Sequence, residues 1–241
     1  MNKVDECVLL SEEKQVILTT FGDAIRVPGS KKSLLQAKAE GADIRIVYSP
    51  MDALDIASRN PDKDVVFFAL GFETTMPSTA LTIQEAKKRE VLNFSILCNH
   101  ITIPQTLKAL LDTDNLNLDA FIGPGHVNMI IGTEVYDFIV NKYKKPIVVS
   151  GFEPLDILQS LSMLIKQLIE KRCEIENQYK RVVSKEGNII AQEAINNVYM
   201  IKEFSEWRGL GLIPESGVKL RNEYKFYDCL LYTSPSPRDC Q

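Results

Sequence analysis

Histidine, tryptophan and cysteine are scarce in this chain: two, one and five residues respectively among 241. The cysteines (Cys7, Cys98, Cys173, Cys229 and Cys240) are odd in number and widely spaced, and no C-x-x-C pair occurs. Neither a disulfide framework nor a cysteine-rich metal site can be read from them, and each thiol is taken as a small buried or surface group. A reducing cytoplasm fits that usage. No basic run is long enough to follow a phosphate backbone, and the net charge is −4, so nucleic acid is not an expected partner. Apolar runs stop well short of a bilayer span, and the opening MNKVDECVLLSEEK lacks the basic-then-apolar order of a signal peptide, so no membrane association is expected. There is no G-x-x-x-x-G-K-[ST]. Gly209-x-Gly211 lacks a third glycine, which leaves nucleotide binding unsupported. Ser150-Gly151 is only half of a G-x-S-x-G elbow.

What is present is a repeated figure. Val65 to Pro77 reads VVFFALGFETTMP, and Ile147 to Asp156 reads IVVSGFEPLD, with Gly71 and Gly151 80 residues apart. Each is an apolar run ending in Gly-Phe-Glu. A strand apolar at every position is covered on both faces, as parallel strands are. Further strands are expected at Val16 to Phe21, Ile44 to Tyr48, Phe94 to Cys98 and Ala120 to Ile122, with helices between them. Ser30 is read as the cap of a helix running to about Glu40, Ser49-Pro50 as a helix start, and Thr75 and Thr102 as caps. After Pro154 comes a long helix whose Ile157, Leu158, Leu161, Leu164, Ile165 and Leu168 form a stripe expected to be packed.

Alternating strands and helices with short connections predict an α/β fold of two similar αβα lobes with mostly parallel sheets and a cleft at the strands' carboxyl edges. Residues 1–92 read as the first lobe with its N-terminal part missing, and 93–172 as the second. Residues 173–228 read as a connector with a C-terminal helical and loop region, and 229–241 as a spurious or disordered tail.

The polar turns after the strands supply the candidate ligand or partner residues: Gly71, Glu73, Thr74, Thr75, His100, Gly125, His126 and Glu153. Glu73 and Glu153 have two readings, capping the N–H groups of the helix that follows or contacting a ligand. Cys98, His100 and His126 contain three metal-ligand types, but hydrogen-bonding roles are preferred and no metal site is assigned. Asn177, Tyr179 and Arg181 suit either a solvated loop or a partner surface. Trp207 is read as a core anchor ahead of a binding hot spot. On these residues alone, a two-lobed enzyme or binding protein for a small anionic metabolite, using helix N-termini and the two histidines, is an alternative reading.

Six motifs, in order, resemble the HypD family of hydrogenase maturation (expression/formation) proteins: TFGDAIRVPGS at 20–30, GFETTMP at 71–77, GPGHVN at 123–128, GFEPLDIL at 151–158, ENQYKR at 176–181 and WRGLGLIPESGVKL at 207–220. The likeness runs from about Val16 to Phe226. It implies an accessory scaffold that assembles the Fe(CN)2(CO) unit of [NiFe]-hydrogenases in complex with HypC and HypE, with a redox role in the full-length family rather than a stand-alone enzyme activity. It also implies a [4Fe-4S] cluster in the full-length family, with GFETT, His126 and the ENQY stretch lining or approaching the iron site. The family's Cys-Gly-Thr-His and Cys-Pro-Val-Cys motifs and its cysteine-rich C-terminal region have no counterpart here. The chain is therefore read as an incomplete, inactive fragment that holds no cofactor, and Asn128 stands where the family usually has serine.

Overall fold

The structure, a computed structural model, describes residues 3–113, 117–207 and 209–229. Helix α1 (Lys3–Ser11) leads into β1 (Val16–Thr20), α2 (Leu34–Ala39), β2 (Ile44–Ile46), α3 (Pro50–Arg59) and β3 (Asp64–Gly71). Next come α4 (Met76–Lys88), β4 (Phe94–His100) and α5 (Ile103–Leu111). β1 to β4 form one parallel sheet in the order β2-β1-β3-β4. β3 is central, as its unbroken apolar run requires: Val65, Phe67 and Ala69 face a core shared with α3 and α4, while Val66 and Phe68 face α1 and α2. Because β1 connects outward to β2 and then the chain crosses to β3, the carboxyl ends of β1 and β3 flank the point where strand order reverses. TFGD and GFETT lie there.

The second sheet is built from β5 (Phe121–Pro124), α6 (Gly125–Ile131), α7 (Asp137–Asn141), β6 (Ile147–Ser150), α8 (Pro154–Ile169) and β7 (Ile175–Asn177), parallel in the order β5-β6-β7. Ile147 and Val149 face a core with Tyr136, Ile139 and Val183. Then α9 (Ile189–Val198), β8 (Tyr199–Ile201), β9 (Phe204–Trp207), β10 (Gly211–Pro214) and β11 (Val218–Leu220) follow, with two antiparallel pairs, β8–β11 and β9–β10. α9 packs on α4, and Ala194, Val198, Tyr199, Val218 and Tyr227 join the first sheet's core.

These contacts move the expected boundaries. Phe94 to Cys98 does not open the second lobe: β4 hydrogen-bonds along β3, with Phe67 opposite Ile96, because its own apolar faces complete the first sheet. The segment after residue 172 is not a separate region either. Its first strand closes the second sheet, and its remainder returns to the first. Cys229 is buried beside Cys7 and Leu97, so the chain is still packed where a loose tail was expected to begin. Residues 230–241, with Cys240, lie outside the described residues.

Local signals fare unevenly. Ser49 and Asp52 form the expected capping box. The α2 box is made by Ser33 and Gln36, while Ser30 donates from its backbone and hydroxyl to Asp5 on α1. Thr75 and Thr102 occupy cap positions without side-chain cap bonds. The largest departure is α8. Its buried positions are Asp156, Ser160, Leu164 and Gln167, and the stripe expected inside leaves Leu158, Leu161, Ile165 and Leu168 exposed. Polar anchors set that rotation: Gln167 Oε1 accepts from Glu174 N at 2.9 Å, and Asp156 is bonded from the segment after β7. Leu164→Ala should therefore cost about 2 to 4 kcal/mol in urea denaturation and Ile165→Ala under ~0.5 kcal/mol. The reverse ranking is what a conventionally packed stripe would give.

Candidate functional site

The first sheet's edge is organised by the end of β3. Gly71 has φ +126°, and a Cβ there would lie 2.4 Å from Thr75 Oγ1, so the turn requires glycine. Thr75 donates back to Leu70 O and Phe72 O, at 3.1 and 3.2 Å, which closes the loop on its own strand. Glu73 is thereby turned inward and buried. It does not cap the helix that follows it. Its Oε1 accepts from Ile103 N at 2.9 Å, at the start of α5, the helix after β4. Burial raises its pKa, opposed by bonds from its own N–H and that of Ile103. Oε2 has no partner among the described residues. Thr74 is half-buried beside it.

His100 ends β4, directly opposite Gly71. It is buried, with its ring edge-on to Tyr199 at 5.7 Å and Nδ1 3.9 Å from Cys98 Sγ. Burial, and secondarily the charge of Lys202, lower its pKa to about 3, so the imidazole is neutral at ordinary pH. Nε2 has no partner among the described residues. The strand does continue far enough to put Cys98 and His100 on one face, but His126 is not with them.

His126 belongs to the second edge. It is exposed at the start of α6, with its ring against Phe152 at 4.8 Å, and partial desolvation lowers its pKa. Gly125 and Gly151 carry the Tyr179 ring. Added Cβ atoms would come within 2.8 and 2.9 Å of it, and the one on Gly125 within 2.4 Å of Ser150 O. Arg181 stacks on Tyr179 at 4.4 Å and makes a two-pronged bond to Asp156, 2.9 and 2.6 Å. Gln178 Nε2 also donates to Asp156, at 2.8 Å, while Gln178 Oε1 accepts from Gly151 N at 3.2 Å. Asn177 Nδ2 donates to Val183 O. Thus ENQYKR is not a solvated loop; it is fastened onto the edge through residues 177–181. Glu153 stands at the α8 cap position, exposed, with no side-chain cap bond.

Asp156 and Gln178 were not among the residues singled out in the sequence. An acid three residues after a helix cap signals a reach back to the cap, and Asp156 does accept from Glu153 N–H. Its pairing with Arg181, 25 residues on, has no local signature. Glu73 ties this part of the chain to the first sheet at Ile103, and its charge is felt by buried Tyr136, whose hydroxyl donates to Asn128 Oδ1 at 3.3 Å.

The described cysteines do not fit a [4Fe-4S] cluster. Cys98 lies in the core on one side of the first sheet and Cys7 and Cys229 on the other, while Cys173 is half-buried elsewhere. Burial raises the thiols, Cys229 to about 12, where a cluster needs about four thiolates gathered together. Among the described residues no three His, Cys, Asp or Glu side chains are placed to hold a metal ion, and no helix is long and apolar enough to cross a membrane.

Two parallel sheets, with polar turns at their carboxyl ends and a clamped aromatic on one of them, define an α/β protein that presents its functional groups along sheet edges. The sequence profile of HypD, described as the hydrogenase formation hypA family, matches residues 1–238. The Hydrogenase maturation factor HypD of Escherichia coli (strain K12) is 53% identical over 238 residues, 99% of this chain and 64% of that protein. That of Rhodobacter capsulatus is 57% identical over 226 residues, 94% and 60%, and that of Azotobacter vinelandii 42% over 268 residues, 100% and 71%. The chain belongs to the HypD family. It spans about two thirds or less of the length of the first two of these relatives, and the match extends past Tyr227, where the motifs alone end.

The Asp156 clamp has a pH signature. Hydrogen bonds from Arg181 first and Gln178 second lower its pKa to about 2 from an ordinary 3.8. A depressed acid contributes stability that is fully present above its unfolded value and lost as pH falls through the folded one. Stability should drop between about pH 4 and 2, and Asp156→Asn should flatten that limb in urea titrations. A wild-type slope unchanged by the substitution would remove the clamp from the account.

Proposed function

We propose that this chain forms the two-sheet body of a hydrogenase maturation scaffold, on which the Fe(CN)2(CO) unit is assembled in complex with HypC-like and HypE-like proteins in the cytoplasm. The supporting observation is that the GFETT, GPGH and ENQYKR motifs, shared in kind with the HypD family, all lie at carboxyl edges of the two sheets. The iron unit is cargo in this reading. His126, neutral and exposed, offers a donor or acceptor to a diatomic ligand. Arg181, half-exposed and fixed by Asp156, offers positive charge toward anionic cyanide. The free Oε2 of Glu73 is an acceptor on the first edge. None of Cys7, Cys98, Cys173 or Cys229 is assigned a role in holding iron, because they are buried, protonated or apart.

Affinity co-purification tests the reading. The tagged chain should retain a HypC-like protein, and Arg181→Ala should weaken that complex about tenfold, ~1.4 kcal/mol. A chain that is folded by circular dichroism yet retains no HypC-like protein at micromolar concentration would overturn it.

A further inference from the structure

The outward face of α8 is unlike any other helix surface in the chain. Leu155, Leu158, Leu161, Ile165, Leu168 and Ile169 are 41 to 76% exposed, while the same helix buries Asp156, Ser160 and Gln167. Leu158, Leu161, Ile165 and Leu168 follow the 3-4-3 spacing of a helix–helix seam, two columns seven residues apart. The occupant that fits this face is therefore another helix. Six such side chains hold roughly 600 Å2 of open surface, at the top of the range for the largest apolar patch on a monomer. With their flanks, that approaches the ~800 Å2 per partner of a standard interface.

We infer that the face is a self-association surface: two copies of this chain pack α8 against α8 in antiparallel orientation about a two-fold axis near Leu161 and Ser162. Charge selects that orientation. Exposed Glu153 stands at the N-terminal end of α8, and Lys166 and Lys171 stand toward its C-terminal end. Antiparallel pairing brings each copy's acid toward the other's lysines and opposes the two helix dipoles, whereas parallel pairing would set like ends together. The seam is self-complementary, as a two-fold interface must be, because each column offers only leucine or isoleucine. The carboxyl-edge residues Gly125, Tyr179 and Arg181 are not part of it, so the association is separate from the binding of maturation partners.

Sedimentation velocity of the 241-residue chain, over a concentration series, reads the result directly. A concentration-dependent dimer is expected. Leu158→Glu with Ile165→Glu should yield a monomer with unchanged far-ultraviolet circular dichroism, since both positions are exposed. As a positive measurement, Leu161→Cys should form a disulfide-linked dimer under mild oxidation, and Leu35→Cys, an equally exposed position on α2, should not. A wild-type chain that stays monomeric throughout, including one whose α8 instead takes up lipid vesicles or a HypC-like protein, overturns the inference. So does a dimer indifferent to the double substitution. A lost HypC-like complex with the dimer intact would count against the maturation reading alone.

Discussion

Everything in this chain depends on β3 being covered on both faces. A strand with Val65, Val66, Phe67, Phe68 and Ala69 all buried can sit only in the middle of a parallel sheet with a helical layer on each side. That requirement draws β1 to one side and β4 to the other, and takes α1 with α2 onto one face and α3 with α4 onto the opposite one. It also fixes where the strand must end. Gly71 releases the chain in a left-handed conformation closed by Thr75, and Glu73 is delivered to the start of α5.

The bond from Ile103 N to Glu73 makes a structural point about the repeated Gly-Phe-Glu. The two copies end their strands alike but spend their acids differently: Glu73 is buried and shared with a distant helix, while Glu153 is exposed at its own. In the second copy, the inward acid is Asp156, three residues on. An equivalent electrostatic anchor is thus built at each edge from a different position, one engaging a backbone amide and the other a guanidinium. The buried carboxylate with a single amide bond is raised, and the one held by Arg181 and Gln178 is lowered.

Strand and helix alternation was legible because buried parallel strands and capped helices leave strong local marks, such as the Ser49-Pro50-Met51-Asp52 start. Pairing partners left no such mark. Phe94 to Cys98 reads equally well as the first strand of a new sheet or the last of an old one, and only its contacts with β3 decide. The candidate residues Gly71, Glu73 and His100 do gather on one edge, and Gly125, His126, Tyr179 and Arg181 on the other. Asp156 stayed hidden because its partner lies 25 residues away, and a sequence shows spacing within a helix far better than ion pairs between segments.

The α8 stripe shows why periodicity alone cannot assign an inside. A run of leucines at helical spacing states that one face wants company; it does not state whose. Here the side turned to the sheet is fixed by hydrogen bonds. Asp156 answers Arg181, and Gln167 answers Glu174 N, so rotating α8 to bury its leucines would strand a carboxylate and break the clamp under Tyr179. Leaving a carboxylate buried without its guanidinium is the costlier outcome for a single chain. An apolar face can be covered later by another helix, whereas an unpaired buried charge has to be satisfied within the fold, and the second sheet resolves that conflict in favour of the charge.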